Sequence, residues 1–428
     1  MPLIRIKNIP MVFFCTVSLV LGIGPAALSF SFPDKEWFSI NGFGTIALTS
    51  SDSDLLGFGR TFHSETPVFK DSVEFRTDSF LGTQLTIRPN DRFKAVAQFV
   101  VRDYSEPSVD SLLQFAYADF HLYPGISLRL GRNPMDIFLG SDYKDVGFAY
   151  LWARPVSGVY PTMFYDYYEG GEFRYVKDTD MGLFTVIGYI GTSDLEVFLE
   201  NYQNISFSFE PIYGVSLWYE NGPFTFTAGY QNCIIADFPK QLIQFSNLLD
   251  SYEGKNFFSL PYIQEQMRLD GSRTEYMILG ASYDDGHWHI QSEVSQYNYN
   301  RLMELAFHSG YISIGYRIKQ FTPFVVFSKL YKTYNRIHID GEMLGRMSFL
   351  EKTAYHILKN LMDDADANQS CLSLGLRWDL SGNCSLKFQW DHNWIRKDQA
   401  TFWKKRPGVH MKQDETVNIT SISFDFFF

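Results

Sequence analysis

Val73-Glu74-Phe75-Arg76-Thr77-Asp78-Ser79-Phe80-Leu81-Gly82-Thr83-Gln84-Leu85-Thr86-Ile87-Arg88 is the stretch that decides the fold. Its odd positions are mostly apolar (Val73, Phe75, Leu81, Leu85, Ile87), and its even positions include Glu74, Arg76, Asp78, Gln84 and Arg88. A period of two places alternate side chains on opposite faces of a strand, so this strand separates two different solvents. The pattern recurs. Phe93, Ala95, Ala97, Phe99 and Val101 alternate with Lys94, Gln98 and Arg102; Phe224, Phe226, Ala228 and Tyr230 alternate with Thr225, Thr227, Gly229 and Gln231; Leu372, Leu374, Leu376 and Trp378 alternate with Ser373, Gly375, Arg377 and Asp379. Soluble sandwiches alternate too, but their strands average ~5–6 residues; these reach about 10, the length a tilted membrane strand needs.

Working outward, the alternation predicts sixteen strands, near 38–47, 73–88, 92–103, 112–122, 126–131, 169–176, 182–190, 204–219, 223–233, 274–284, 287–298, 309–319, 321–332, 370–379, 383–394 and 416–428. Short turns fall at Pro89-Asn90-Asp91, Pro124-Gly125, Asp178-Thr179-Asp180, Asn221-Gly222, Asp284-Asp285-Gly286, Lys319-Gln320 and Ser381-Gly382-Asn383, several with Gly, Asn or Asp hairpin chemistry. The connections between them are longer. Strict short-long alternation is the mark of a barrel with periplasmic turns and extracellular loops. The expected fold class is therefore all-β: a transmembrane antiparallel barrel of about 16 strands. Lipid cannot hydrogen-bond a backbone, so a spanning sheet must close, and a barrel of this size encloses water. A plugged transporter of ~22 strands is the alternative, but the first strand follows too closely on the N-terminal segment to leave room for a plug.

That segment reads as a secretory signal. Arg5 and Lys7 precede an apolar run from Met11 to Ile23, and Ala27-Leu28-Ser29 supplies small residues for cleavage. The expected division is 1–29 signal peptide and 30–428 barrel, exported to the outer membrane. The run is too short to span ~30 Å of hydrocarbon as a helix, and no stretch of 18 apolar residues follows. Cys15 has no lipobox before it. Loss of Arg5 and Lys7 takes the formal charge from −11 to −13, which argues against a nucleic-acid partner. Aromatic residues make up 17% of the chain. Of the remaining cysteines, Cys371 and Cys384 fall at opposite ends of neighbouring predicted strands, too far apart to bridge, and Cys233 stands alone.

The chain ends Ile422-Ser423-Phe424-Asp425-Phe426-Phe427-Phe428, with Ile422, Phe424, Phe426 and Phe428 on one face. This resembles the C-terminal signal by which barrel-assembly machinery recognises outer-membrane proteins, so Phe428 is the expected contact with that partner. The apolar outer face predicts contact with outer-membrane lipid and lipopolysaccharide.

The third long loop, between the fifth and sixth strands, is apolar and aromatic for a segment that should meet water. It contains Gly131-Arg132-Asn133-Pro134, Ser141-Asp142-Tyr143, Val146-Gly147-Phe148-Ala149-Tyr150, Trp152-Ala153-Arg154-Pro155 and Val159-Tyr160-Pro161. This series resembles the third loop of porin-like outer-membrane proteins, departing from it at Val156, where a second Pro is expected. The resemblance implies a general-porin architecture, passive diffusion of small hydrophilic solutes without a cofactor, a third loop that narrows the channel, and a homotrimer formed through the short-strand side. It also implies a constriction in which basic wall residues (Arg76, Lys94, Arg102, Arg129) face loop acids (Asp136, Asp142, Asp145). The bland reading of those charges is a wetted lumen face.

Other constellations are weaker. His287 and His289 share a strand face but lack a third metal ligand. Glu172 and Arg174, on one face of the sixth strand, should pair with each other. Residues 240–252 and 341–361 have helical spacing inside long loops. A substrate-selective channel is the close alternative to a general pore. An outer-membrane enzyme, a lipid hydrolase or protease, is the reading from another class; His121 and His392 have Ser and Asp neighbours, but no nucleophile motif is present. A closed structural or adhesive barrel is the third.

Overall fold

In the computed structural model, sixteen long strands close into one antiparallel barrel. They are β1 (Phe38–Ser51), β2 (Phe80–Asn90), β3 (Phe93–Val101), β4 (Leu113–Tyr123), β5 (Ile126–Pro134), β6 (Tyr167–Thr179), β7 (Gly182–Leu199), β8 (Tyr202–Asn221), β9 (Phe224–Asp237), β10 (Arg273–Asp284), β11 (Trp288–Asn300), β12 (Leu305–Tyr316), β13 (Phe321–Tyr334), β14 (Ala367–Ser381), β15 (Cys384–Ala400) and β16 (Glu415–Phe427). Each pairs with the next, and β1 pairs with β16 from Phe43↔Phe427 to Ser51↔Ile419, which closes the sheet. The structure describes the whole chain except residues 1–29, 32–36, 62–63, 65, 105–107, 161–164, 200–201, 239–242, 245–246, 249–270, 301–304, 335–344, 350, 357–365, 401–402 and 407–410. The expected signal peptide, Cys15, Pro161 and most of the 240–252 helix fall outside the described residues; residues 351–356 are helical.

Burial is inverted relative to a soluble protein. Leu279, Val294, Ile312, Phe327 and Leu374 are exposed on the outer face, while Ser313, Ser423, Lys387 and Asp425 are fully buried inside. An apolar belt outside and polar groups inside is what lipid on one side and a polar lumen on the other select. Aromatic pairs edge the belt at the short-turn end: Phe224 against Tyr283, Trp288 against Tyr316, and Phe321 against Trp378. Turns at that end are tight; Gly125 and Gly222 take φ of +77° and +56°, which only glycine adopts freely.

Two expectations need correction. The second strand begins at Phe80 rather than at residue 73. Val73–Glu74 touches β1 only briefly, and residues 75–79 then leave the wall, because Asp78 is drawn into a buried ion pair with Arg154. The seventh and eighth strands are joined by a tight connection rather than a long one, since their ladder runs up to Leu199↔Tyr202. The cysteines behave as expected: Cys233, Cys371 and Cys384 are free, with Cys371 opposite Asn393 and Cys384 opposite Ser381 at the far end of the same pair of strands.

Candidate functional site: loop three and the inner wall

The loop between β5 and β6 lies inside the barrel. Ile137, Phe138, Leu139, Leu151, Trp152, Val156 and Val159 are buried there, packed against inward aromatics such as Tyr276, Tyr311 and Phe324. The apolar character that looked misplaced for a water-facing loop is thus accounted for: the loop supplies the core that the lumen lacks.

Polar contacts fix it along one half of the wall. The backbone N–H of Leu139 donates to Glu293 on β11 at 2.8 Å, and Tyr160 and Tyr311 donate their hydroxyls to the same carboxylate at 2.9 and 2.7 Å. Trp152 donates its indole N–H to Ser313 on β12 at 2.9 Å, and the Ala153 N–H donates to Gln389 on β15 at 2.7 Å. Arg377 on β14 donates to the carbonyls of Phe148 and Tyr150 at 2.7 and 3.0 Å. Lys387 on β15 donates to the carbonyls of Gly147 and Trp152 at 2.6 and 2.7 Å and lies 3.2 Å from Asp425 on β16. Gly147 sits so close to the wall that a Cβ there would run into Asp425 Oδ1 and Thr45 Oγ1. Gly315 on β12 likewise leaves room for Leu151.

Arg154 is the hub. Its guanidinium binds Asp78 at 2.8 Å and Asp391 at 2.6 Å, donates to Ser421, and stacks over the Phe58 ring at 4.7 Å. Burial works against the Asp78 carboxylate, but Arg154, with Arg60 behind it, outweighs burial and holds this carboxyl below its usual range. A buried arginine shared by two carboxylates ties three chain segments, β15, loop three and the end of the first loop, to one point.

The opposite half of the wall meets the loop differently. Arg102, one residue past β3, binds Asp145 of the loop at 2.7 Å. Arg174 on β6 binds Asp136 at 2.9 Å and shares Glu172 at 3.3 Å, as the sequence spacing anticipated. Burial, with Asp142 and Glu172 nearby, pushes the Asp136 carboxyl up to about 8 against the pull of Arg174. Lys94 on β3 lies 3.8 Å from Asp119, and Arg129 on β5 lies 3.4 Å from both Asp119 and Glu172 while covering the Tyr117 ring. Asp142 is exposed at the tip of a short turn, Ser141–Tyr143.

Of the residues picked from sequence, Arg102 and Asp145 meet as an ion pair between wall and loop. Lys94 and Arg129 do reach the inner wall, but their acids are Asp119 and Glu172 of neighbouring strands rather than the loop acids. Arg76 is not on a strand face; its side chain is 58% exposed beyond the start of β2 and pairs with Asp103 at 3.0 Å. Asp136 pairs with Arg174, which was not in the set. Sequence reasoning also missed Asp78, Glu293, Arg377, Lys387, Asp391 and Asp425. Each was visible as a charge on the inward phase of an alternating strand or beside one, but nothing in the alternation says which inward charge the loop will reach.

Among the described residues no group of three or more His, Cys, Asp or Glu could hold a metal. His289 points inward and His287 is exposed in the turn region. His392 faces outward, its ring 2.7 Å from Asn418, and His121 lies 3.9 Å from Asp119.

The fold is that of the sixteen-stranded outer-membrane porin barrels. The outer membrane channel DcaP of Acinetobacter baumannii aligns over 91% of this chain and 97% of its own, at 10% identity and a TM-score of 0.54. The anion-selective porin from Comamonas acidovorans covers 91% of this chain and 100% of its own at 12% identity and a TM-score of 0.50. OmpT of Vibrio cholerae, expressed in the outer membrane, covers 92% and 98% at 9% identity and a TM-score of 0.50. Such identities establish a shared architecture. No family model and no curated protein matches the sequence.

Proposed function

We propose that the protein is an outer-membrane porin: a passive channel for small hydrophilic solutes and ions, without chemistry or cofactor, in which loop three narrows the lumen. One observation carries this reading. Loop three crosses the barrel interior, sealed to β11–β16 by buried contacts, while its other edge faces the charged wall of β2–β6, where Lys94, Arg129, Arg174 and Asp142 keep some contact with solvent. The narrow passage runs along that edge. Opposed charges in a low-dielectric opening concentrate the field there and outweigh the net charge of the chain. The orientation of His392 toward lipid, and the absence of a serine or threonine bonded to His121 among the described residues, favour conduction over hydrolysis.

Two further elements belong to this reading. The chain is exported by a cleaved signal ending near Ser29, and Phe428 presents the terminal strand to the assembly machinery. The barrels associate as trimers through β2–β5, the short strands of 11, 9, 11 and 9 residues, whose outer face carries the cross-strand pairs Ala95–Ala118 and Ala97–Ala116. Small side chains make that face flat enough for close approach. The test is planar-bilayer conductance of the refolded mature chain, with the reversal potential measured in a salt gradient and specific solutes added. Ohmic current without saturation is expected; block by one solute would indicate a selective channel, and absence of current a closed structural barrel.

A further inference from the structure

The long-loop mouth carries charges that the constriction does not use. In the last loop, from Thr401 to Asp414, Lys404, Lys405, Arg406 and Lys412 stand against Asp414 alone, although the chain as a whole has a formal charge of −11. Lys404–Lys405 is tied to the first loop as a two-stranded sheet, with Lys404 opposite Gly57 and Lys405 opposite Leu56. Ladder partners share a face, and successive residues alternate. One face of the first-loop segment therefore carries Leu56 and Phe58, which form a buried cluster with Trp403 and with Ile395, Val417 and Ile419 of the inner wall. The other face carries Lys404 and, two residues on, Arg406, and it turns from that wall toward the opening. Phe69 lies across this face, filling the space that a Cβ on Gly57 would need, and the Arg406 guanidinium covers its ring at 4.7 Å. Lys404 is half-buried and Arg406 exposed. Among the described residues no carboxylate pairs with either: the first-loop acid Asp54 is taken by Lys70 at 3.7 Å, and Asp414 accepts the Lys397 backbone N–H at 2.8 Å.

On the inner wall the cations have acids beside them: Lys94, Arg129 and Arg174 find theirs at 3.8, 3.4 and 2.9 Å. At the mouth they do not. Lys404 and Arg406 stand on a fixed support with Cα atoms about 7 Å apart. One multivalent oxyanion can span that spacing through charge-assisted hydrogen bonds, and a single chloride cannot. A phosphate group carries close to two charges near neutral pH and matches the guanidinium fork. We propose that Lys404 and Arg406, set on the Phe69 ring, form an outer binding site for small solutes bearing a phosphate group. The site rests on the porin reading for its purpose, the delivery of such solutes to the cations of β3–β6, but its occupancy does not depend on current.

Isothermal titration calorimetry of the refolded mature chain with pyrophosphate at low ionic strength tests this. Binding should be saturable, absent with acetate, and lost in about 1 M salt, where charges are screened beyond ~3 Å. Lys404→Gln and Arg406→Gln together should weaken it about tenfold, the loss that one or two charge-assisted contacts supply, while Lys404→Arg keeps it. Lys412→Gln removes a cation of the same loop outside the sheet and should leave binding nearly unchanged. Heat-modifiability on gels shows which variants are folded, and the single variants carry the comparison if the double one is not. Equal binding by the unaltered protein and the Lys404→Gln/Arg406→Gln variant, or an equal loss in Lys412→Gln, overturns the site. In a bilayer of neutral phospholipid, pyrophosphate added on the long-loop side should interrupt the current of the unaltered barrel and not that of the double variant; equal interruption of both overturns the site as well. Saturable binding that the double variant loses, in a barrel that passes no current, would sink the porin reading and leave the site in place.

Discussion

Loop three meets two walls, and it meets them in different ways. Against β11–β16 the charges are buried and saturated: Arg154 is 3% exposed and Lys387 0%, each bound to several groups at once. Against β2–β6 the charges are arranged as partners in a row, and Lys94 and Arg174 keep about a fifth of their side chains in contact with solvent. The difference separates charges that hold the loop from charges that stay in contact with solvent. A buried ion pair broken on one side is strongly destabilising, whereas a wetted one is worth little and serves mainly to shape the field.

The comparison breaks first at its hub. Arg154→Ala takes the arginine from Asp391 and leaves Asp78 only Arg60 at 3.6 Å; it should destabilise the barrel by about 3–5 kcal/mol and raise single-channel conductance as the loop loosens. A thermal midpoint and a conductance both unchanged would mean that the loop is held elsewhere. Acid should act on the same point. The Asp78 carboxyl is depressed on folding, so its contribution is present above the ordinary carboxylate range and is lost as pH falls through the lower folded value. Conductance noise and loop proteolysis should therefore rise below about pH 4 and not between pH 5 and 7. A loosening confined to neutral pH would point away from Asp78.

On the wetted wall, replacing Lys94 and Arg174, each about a fifth exposed, by Gln should cost less stability than Arg154→Ala and shift the permeability ratio toward cations by roughly twofold. A large stability loss with no shift in reversal potential would exchange the roles given to the two walls. The smallest effect is expected at Glu293→Gln. The amide oxygen can still accept from the Leu139 N–H, and its NH2 group can donate to the Tyr160 and Tyr311 hydroxyls, so the loss should stay about 1 kcal/mol in a denaturant titration.

The barrel itself was legible because period-two alternation is a local property, readable strand by strand. Each of the sixteen strands overlaps the range alternation gave it, though the seventh runs nine residues further, to Leu199, and the misplaced start at Val73 came from reading Thr77 to Ser79 as a continuation when Asp78 was needed by Arg154. The inward folding of loop three was readable from its misplaced aromatics. Its partners were not. Lys387 and Asp425 occupy ordinary inward positions, and Gly147 carries no side chain to mark it, so their meeting depends on a curvature of the whole sheet that no local pattern records. Lys94 and Arg129 lie on the inward phase that alternation gave them, but they pair with Asp119 and Glu172 of neighbouring strands rather than with the loop acids.

The approach of Gly147 to the wall has a bearing on the order of events in assembly. The two groups it presses against, Thr45 and Asp425, belong to β1 and β16, the first and last strands made, and Thr45 donates to Asp425 across their junction at 2.5 Å. Neither edge alone offers the loop a complete seat. At Gly147 the loop can complete its contacts only where the two ends of the sheet have come together, and there it bridges them from within. Closing the cylinder and seating this part of the loop share the same atoms, so Gly147→Ala should be felt as a delay in joining the two ends of the sheet, read as slower recovery of the heat-modifiable form on refolding.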